Sequence, residues 1–116
     1  MQYEEIPPVT KADAECIVAQ GRVEDLVRAV VGVALFETDM VWAEDFSVRL
    51  AKHQDRDVRG CAIMAFGHLA RRGHTLNRAI VTRLLREALQ DPDDSVRGHA
   101  HDAASDMEFF LGWTIE

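Results

Sequence analysis

Aromatic side chains are sparse, at 7% of the chain with a single tyrosine, and cysteine and proline are rarer still, at two and three. The cysteines, Cys16 and Cys61, are too far apart for a CxxC pair and too few for a disulfide framework. Both sit among apolar residues at helical spacing and read as buried, reduced, small hydrophobes. All three prolines lie outside the periodic segments, so none interrupts a helix. No apolar run is long enough to span a bilayer, and the opening Met-Gln-Tyr-Glu-Glu-Ile-Pro-Pro has neither the basic nor the apolar region of a signal peptide. The expected address is therefore the cytoplasm. Gly-x-Ser-x-Gly, a phosphate-cradling glycine loop and a cysteine paired locally with histidine are all missing, so neither an enzyme nor a cofactor site is expected. Of the five histidines, His99 and His101 fall on nearly opposite sides of a helix, and His68 and His74 straddle a helix end. None has metal-ligand spacing, so no metal site is expected.

What is present suits one folded domain. Hydrophobic residues make up 47% of 116 and charged residues 28%, enough for one core. The formal charge of −7 is unevenly spread. Residues 1–57 carry six basic and twelve acidic groups, and residues 91–116 carry Arg97 against seven acids. The middle, 58–90, holds six arginines against Glu87 alone. Two acidic ends would repel a nucleic-acid backbone and favour a basic partner. Arg71, Arg72 and Arg78 keep a nucleic-acid reading open, beside the plainer one that they pair with neighbouring acids.

The recurring period is helical, and strand alternation is nearly absent. After an extended leader, 1–9, Thr10 caps a short helix that Gly21 stops near Gln20. A second helix runs from about Arg22 to Phe36 on Val23, Leu26, Val27, Val30, Val31 and Ala34. Thr38 and Asp39 cap a third through about Lys52, with Val41 or Trp42, Phe46 and Leu50 inward. Asp57 is the expected cap of a fourth helix ending near Arg72-Gly73. A fifth runs from about Asn77 to Gln90 on Ile80, Val81, Leu84, Leu85 and Ala88, and Ser95 or Asp94 caps a sixth that reaches toward Trp113. Short loops would set neighbours antiparallel, as pairs over about 10–37, 39–73 and 76–113.

A shift of 38 residues places Asp55, Val58, Arg59, Gly60, Ala62 and Ala65 on Asp93, Val96, Arg97, Gly98, Ala100 and Ala103, six identities in eleven positions. Leu69 falls on Met107, Phe46 on Leu84 and Trp42 on Ile80. The motif resembles the HEAT repeat in Asp57-Val58-Arg59 with Ala62, Ala65 and Leu69, and again in Asp94 and Val96-Arg97 with Ala100, Ala103 and Met107. It covers residues 41–111; residues 10–36 lack the Asp-x-x-Val-Arg turn. The resemblance implies an all-α fold, a short right-handed solenoid of about three antiparallel helix pairs, armadillo-like and built to bind protein. In the turn, the arginine can reach back to acidic or carbonyl groups. Gly60 and Gly67 share one side of the fourth helix and mark places where another backbone packs close.

At 100° per residue, Val96, Ala100, Ala103, Ala104, Met107, Phe110 and Leu111 form the buried stripe of the sixth helix. Phe109 and Trp113 then point away, beside Asp102 and Asp106. Exposed rings rimmed by carboxylates suit a hot spot for a basic partner. The alternative is that they cover the end of the solenoid or touch an identical chain. Glu44 and Asp45 form a second acidic patch. Size, acidity and free-standing repeat pairs also resemble small bacterial toxin-immunity proteins. That resemblance implies an intracellular inhibitor that sequesters a cognate basic protein, such as a toxin or nuclease domain. An adaptor or homo-oligomeric scaffold is the alternative, and nucleic-acid binding the third reading.

Overall fold

The computed structural model describes residues 8–115. It contains helices α1 (Lys11–Gln20), α2 (Val23–Phe36), α3 (Met40–Leu50), α4 (Arg56–Arg71), α5 (Arg78–Leu89) and α6 (Asp94–Leu111), with no strand among the described residues. Most of the expected leader, residues 1–7, lies outside them; Pro8 and Val9 precede α1.

Each helix of the following set starts where a side chain can accept an orphan amide. The Thr10 hydroxyl accepts the Asp13 N–H at 3.1 Å, Asp39 the Trp42 N–H at 3.1 Å, and Asn77 the Ile80 N–H at 3.1 Å. The repeat helices differ from the sequence reading. Asp55, not Asp57, caps α4, accepting the Asp57 and Val58 amides at 2.8 and 3.2 Å. Asp93, not Asp94 or Ser95, caps α6 through the Val96 amide at 3.1 Å. Helical geometry already includes Asp57 and Asp94, so those two fall in the first turn, where a carboxylate faces the positive end of the helix dipole. Gly21 ends α1 in the left-handed region, at φ 73°.

The even-numbered helices pack in series, α2 on α4 and α4 most extensively on α6, while α1, α3 and α5 each pack on the helix that follows. The core lies between them: Leu26, Val30, Val33, Phe46, Val58, Ile63, Phe66, Leu69, Val81, Leu85, Val96 and Met107 are essentially inaccessible. In α3 the choice falls on Trp42, which stacks on Phe46 with centroids 5.1 Å apart, leaving Val41 72% exposed. Helix α1 buries only Ala14. It is tied to α3 and its cap by two ion pairs, Glu15–Arg49 and Lys11–Asp39. On that polar helix Cys16 is exposed, contrary to the buried thiol expected; Cys61 is half-buried, and burial pushes its thiol pKa up.

One turn network recurs with the period of the sequence. Arg59 donates to the carbonyls of His53 and Gln54 at 3.0 and 3.1 Å, and Arg97, 38 residues on, donates to the carbonyl of Asp91 at 2.7 Å. The Asp55 amide donates to His53 Nδ1 and the Asp93 amide to Asp91 Oδ1. The two turns are also joined, because Asp91 takes the Arg59 guanidinium bidentately at 2.7 and 2.9 Å. Arg59 and Asp91 are only 18% and 10% exposed, and each holds the other's pKa toward its charged form.

Candidate protein-binding surface

The surface begins with how α4 and α6 lie together. A Cβ on Gly60 would sit 2.8 Å from His99 Cδ2, and one on Gly67 would collide with the Asp106 carboxylate. The close approach at these glycines is made by α6 side chains and not by a backbone as expected. Asp106, half-buried, lies over Gly67 and reaches Arg71 Nη2 at 3.1 Å. Beside it His68 is buried; desolvation, then the nearby Arg71 charge, push its pKa down, with Asp106 pulling the other way.

Asp102 is exposed and makes no ion pair among the described residues. Phe109, two turns along, is 82% exposed. Phe110 was expected in the buried stripe but is 40% exposed, packed edge-on to Phe109 with centroids 4.8 Å apart. Phe110 stands in the last turn of α6, one residue before the helix ends at Leu111. The structure therefore gathers Asp102, Asp106 and Phe109 on one side of α6 and adds Phe110.

Trp113 does not join them. It is 6% exposed and belongs to the core, with the Arg78 guanidinium 5.7 Å above its ring. The helical projection failed because α6 stops at Leu111: Gly112 turns left-handed at φ 70°, and the Trp113 amide bonds the Met107 carbonyl, folding the indole back. Glu44 is also otherwise engaged. Its half-buried carboxylate meets His74 Nε2 at 2.8 Å and accepts the Asn77 amide at 2.9 Å, pinning the α4–α5 loop to α3. Asp45 alone remains exposed from that second patch.

The arginines that kept nucleic acid in view are largely occupied. Arg72 donates to the Ala34 and Glu37 carbonyls at 2.9 and 2.8 Å, closing the C-terminus of α2, Arg71 holds Asp106, and Arg78 covers Trp113. No three His, Cys, Asp or Glu side chains converge as a metal-ligand set among the described residues, and none of the described helices is long and apolar enough to cross a membrane.

Sequence reading missed a groove of about 430 Å³ between the first turns of α2, α4 and α6. It is lined by the apolar Val23, Val27 and Cys61, by Ser95 and His99, and by the charged Glu24, Arg28, Arg56 and Asp57. Its residues span more than seventy positions, and Val23, expected on the inward side of the second helix, is instead 36% exposed at the groove.

No protein-family model matches the chain, and no curated protein matches it. Among solved structures, it is similar to a chain in the crystal structure of a CDI complex from Cupriavidus taiwanensis LMG 19424. The two share 29% sequence identity over 95% of this chain and 97% of that one, with a TM-score of 0.79.

Proposed function

We propose that this chain is an immunity-type inhibitor, a protein that binds a cognate toxin and blocks it. The observation that carries the reading is its end-to-end likeness to a chain of a CDI complex, which we read as the immunity member of a contact-dependent inhibition pair. The surface suits such a role. Two adjacent phenylalanines stand out from the last helix, beside the exposed carboxylate of Asp102, on a chain of net charge −7. Exposed rings supply the apolar anchor of an interface, and acidic neighbours steer a basic partner onto it. The proposed contact residues are Asp102, Asp106, Phe109 and Asp45. Trp113 and Glu44 are assigned to the fold instead.

The finer architecture belongs to the same proposal. Serial packing of the even helices, flanked by the odd ones, and a turn network repeated at 38 residues support a short HEAT-like solenoid of antiparallel pairs. Such a protein works as a rigid surface in the cytoplasm and needs no chemistry of its own. Nucleic-acid binding is disfavoured, because Arg71, Arg72 and Arg78 are held by this chain's own groups.

The test purifies the product of the gene beside the one for this chain, as the candidate toxin, and titrates it against this chain. Phe109→Ala should weaken the complex by about 2 kcal/mol or more, a hot-spot loss. Asp102→Asn should slow association and flatten its salt dependence. Full affinity in both variants would place the interface elsewhere, and dissociation of a dimer by Phe109→Ala would make the rings a contact between identical chains.

A further inference from the structure

We infer that the outward stripe of α6, Gly98, Asp102, Ser105 and Phe109, takes a helix of the bound protein, laid along α6 as α6 itself is laid along α4; the inference rests on the immunity reading above. The four residues recur at i, i+4, i+7 and i+11, the spacing of one straight line on a helix, and all four are exposed. The 38-residue shift puts them on Gly60, Met64, Gly67 and Arg71 of α4. That line of α4 is the one α6 covers: His99 lies against Gly60, and Asp106 against Gly67 and Arg71. His99 and Asp106 are themselves seven residues apart, so two side chains of one helix fill two gaps of the other. Within this molecule, then, such a line is occupied by a helix.

Gly98 separates an open docking line from a merely solvated end. The fold needs Gly60 and Gly67, since a Cβ on either would strike an α6 side chain. A Cβ on Gly98 would meet nothing within 4 Å, and its backbone is ordinary helix, so alanine would fit there and suit the helix better. Nothing among the described residues uses the gap. Ser105 keeps a second gap shallow, seven residues and about 10 Å further on. Phe109, 82% exposed, ends the line with the ring already proposed as an anchor, so the stripe continues that surface. Charge gives the partner's chemistry. Helix α6 carries Asp94, Asp102, Asp106 and Glu108 against a single arginine, Arg97, which is turned back onto the Asp91 carbonyl. Asp106 has Arg71, whereas Asp94, Asp102 and Glu108 make no ion pair among the described residues. The matching helix turns two side chains, seven residues apart, toward Gly98 and Ser105, and sets a lysine or arginine opposite Asp102.

The experiment titrates the same candidate toxin against Gly98→Ala, Gly98→Leu, Ser105→Leu and Asp102→Lys, with a thermal melt of each variant alone. Gly98→Ala should raise Tm by about 4 °C and yet weaken binding about tenfold, a pair of opposite signs that a purely structural glycine does not give. Gly98→Leu and Ser105→Leu should each weaken binding about a hundredfold while the chain stays folded, because each fills a gap the partner's helix needs. Asp102→Lys should weaken it more than Asp102→Asn does, by about a further tenfold, because it sets like charges face to face. Unchanged affinity in Gly98→Leu or in Ser105→Leu overturns the inference, since a segment lying along α6 meets both gaps and one crossing it meets only one. A homodimer of the unaltered chain that Gly98→Leu breaks would put an identical chain on the stripe and overturns it too. If both leucine variants bind normally while Phe109→Ala does not, the inhibitor reading stands and this inference falls. If the unaltered chain does not bind the candidate toxin at all, both fall.

Discussion

Removing the Asp91 carboxylate should cost this protein more stability than its place in a surface turn suggests. Asp91 accepts three hydrogen bonds: two from the Arg59 guanidinium at 2.7 and 2.9 Å, and one from the Asp93 amide at 2.9 Å. Bonds to charged partners are worth about 1.5–3 kcal/mol each, but Arg59 would keep the His53 and Gln54 carbonyls and admit water where the carboxylate stood. Asp91→Ala should therefore cost about 2–3 kcal/mol, a fall in Tm of about 8–12 °C for a domain of this size. The control is Glu15→Ala. It breaks an equally bidentate pair with Arg49, but one whose side chains are 39% and 48% exposed, so water and salt already screen it and the effect should be much smaller. Acid supplies a second arm. The guanidinium of Arg59 holds the Asp91 pKa below the usual 3.8, so this contribution is complete above that pH and is lost as the pH falls through the lower folded value. The advantage of the unaltered protein over Asp91→Asn should accordingly shrink in strong acid. Thermal melts that place Asp91→Ala within about 2 °C of the unaltered protein, or level with Glu15→Ala, would refute the idea that this bridge ties the two repeat turns together.

Two further outcomes separate the corrected residue assignments from the ones they replace. Asp55→Ala should cost about 1 kcal/mol through a lost helix cap, and Asp57→Ala less than about 0.5 kcal/mol, both read from urea midpoints; the reverse order would move the start of α4. Trp113→Ala should cost about 3 kcal/mol or more because a nearly inaccessible ring leaves a cavity, whereas Phe109→Ala should stay within about 0.5 kcal/mol of the unaltered protein.

Much of the scaffold is legible in the sequence because its causes are local. An aspartate before Val-Arg-Gly-x-Ala, an apolar stripe at helical spacing and a glycine after it act within a turn or two, and the 38-residue shift exposes the unit that repeats them. The return of Arg59 and Arg97 to their own turns follows from the same short range. What escaped depends on the end of a helix or on distant chain segments meeting. Trp113 was projected outward on a helix that in fact stops two residues earlier, at a left-handed glycine. Glu44 has the composition of an exposed acid, yet it is half-buried by His74 and Asn77, thirty or more residues away. The bridge from Arg59 to Asp91 and the groove of Val23, Cys61 and His99 likewise arise only when helices far apart in sequence are stacked. Of the residues proposed for the surface, Asp102, Asp106 and Phe109 follow one side of α6 as helical spacing places them, while Trp113 lies in the core because the helix ends before it.

The central claim is that this chain neutralises a toxin by binding it, and survival of intoxicated cells measures that directly. The candidate toxin, the product of the gene beside the one for this chain, is induced in cells that do or do not carry this chain, and growth is followed. The account predicts arrest without the chain and near-normal growth with it. Arrest that persists although both proteins are present and folded would contradict the account, whatever their structures resemble.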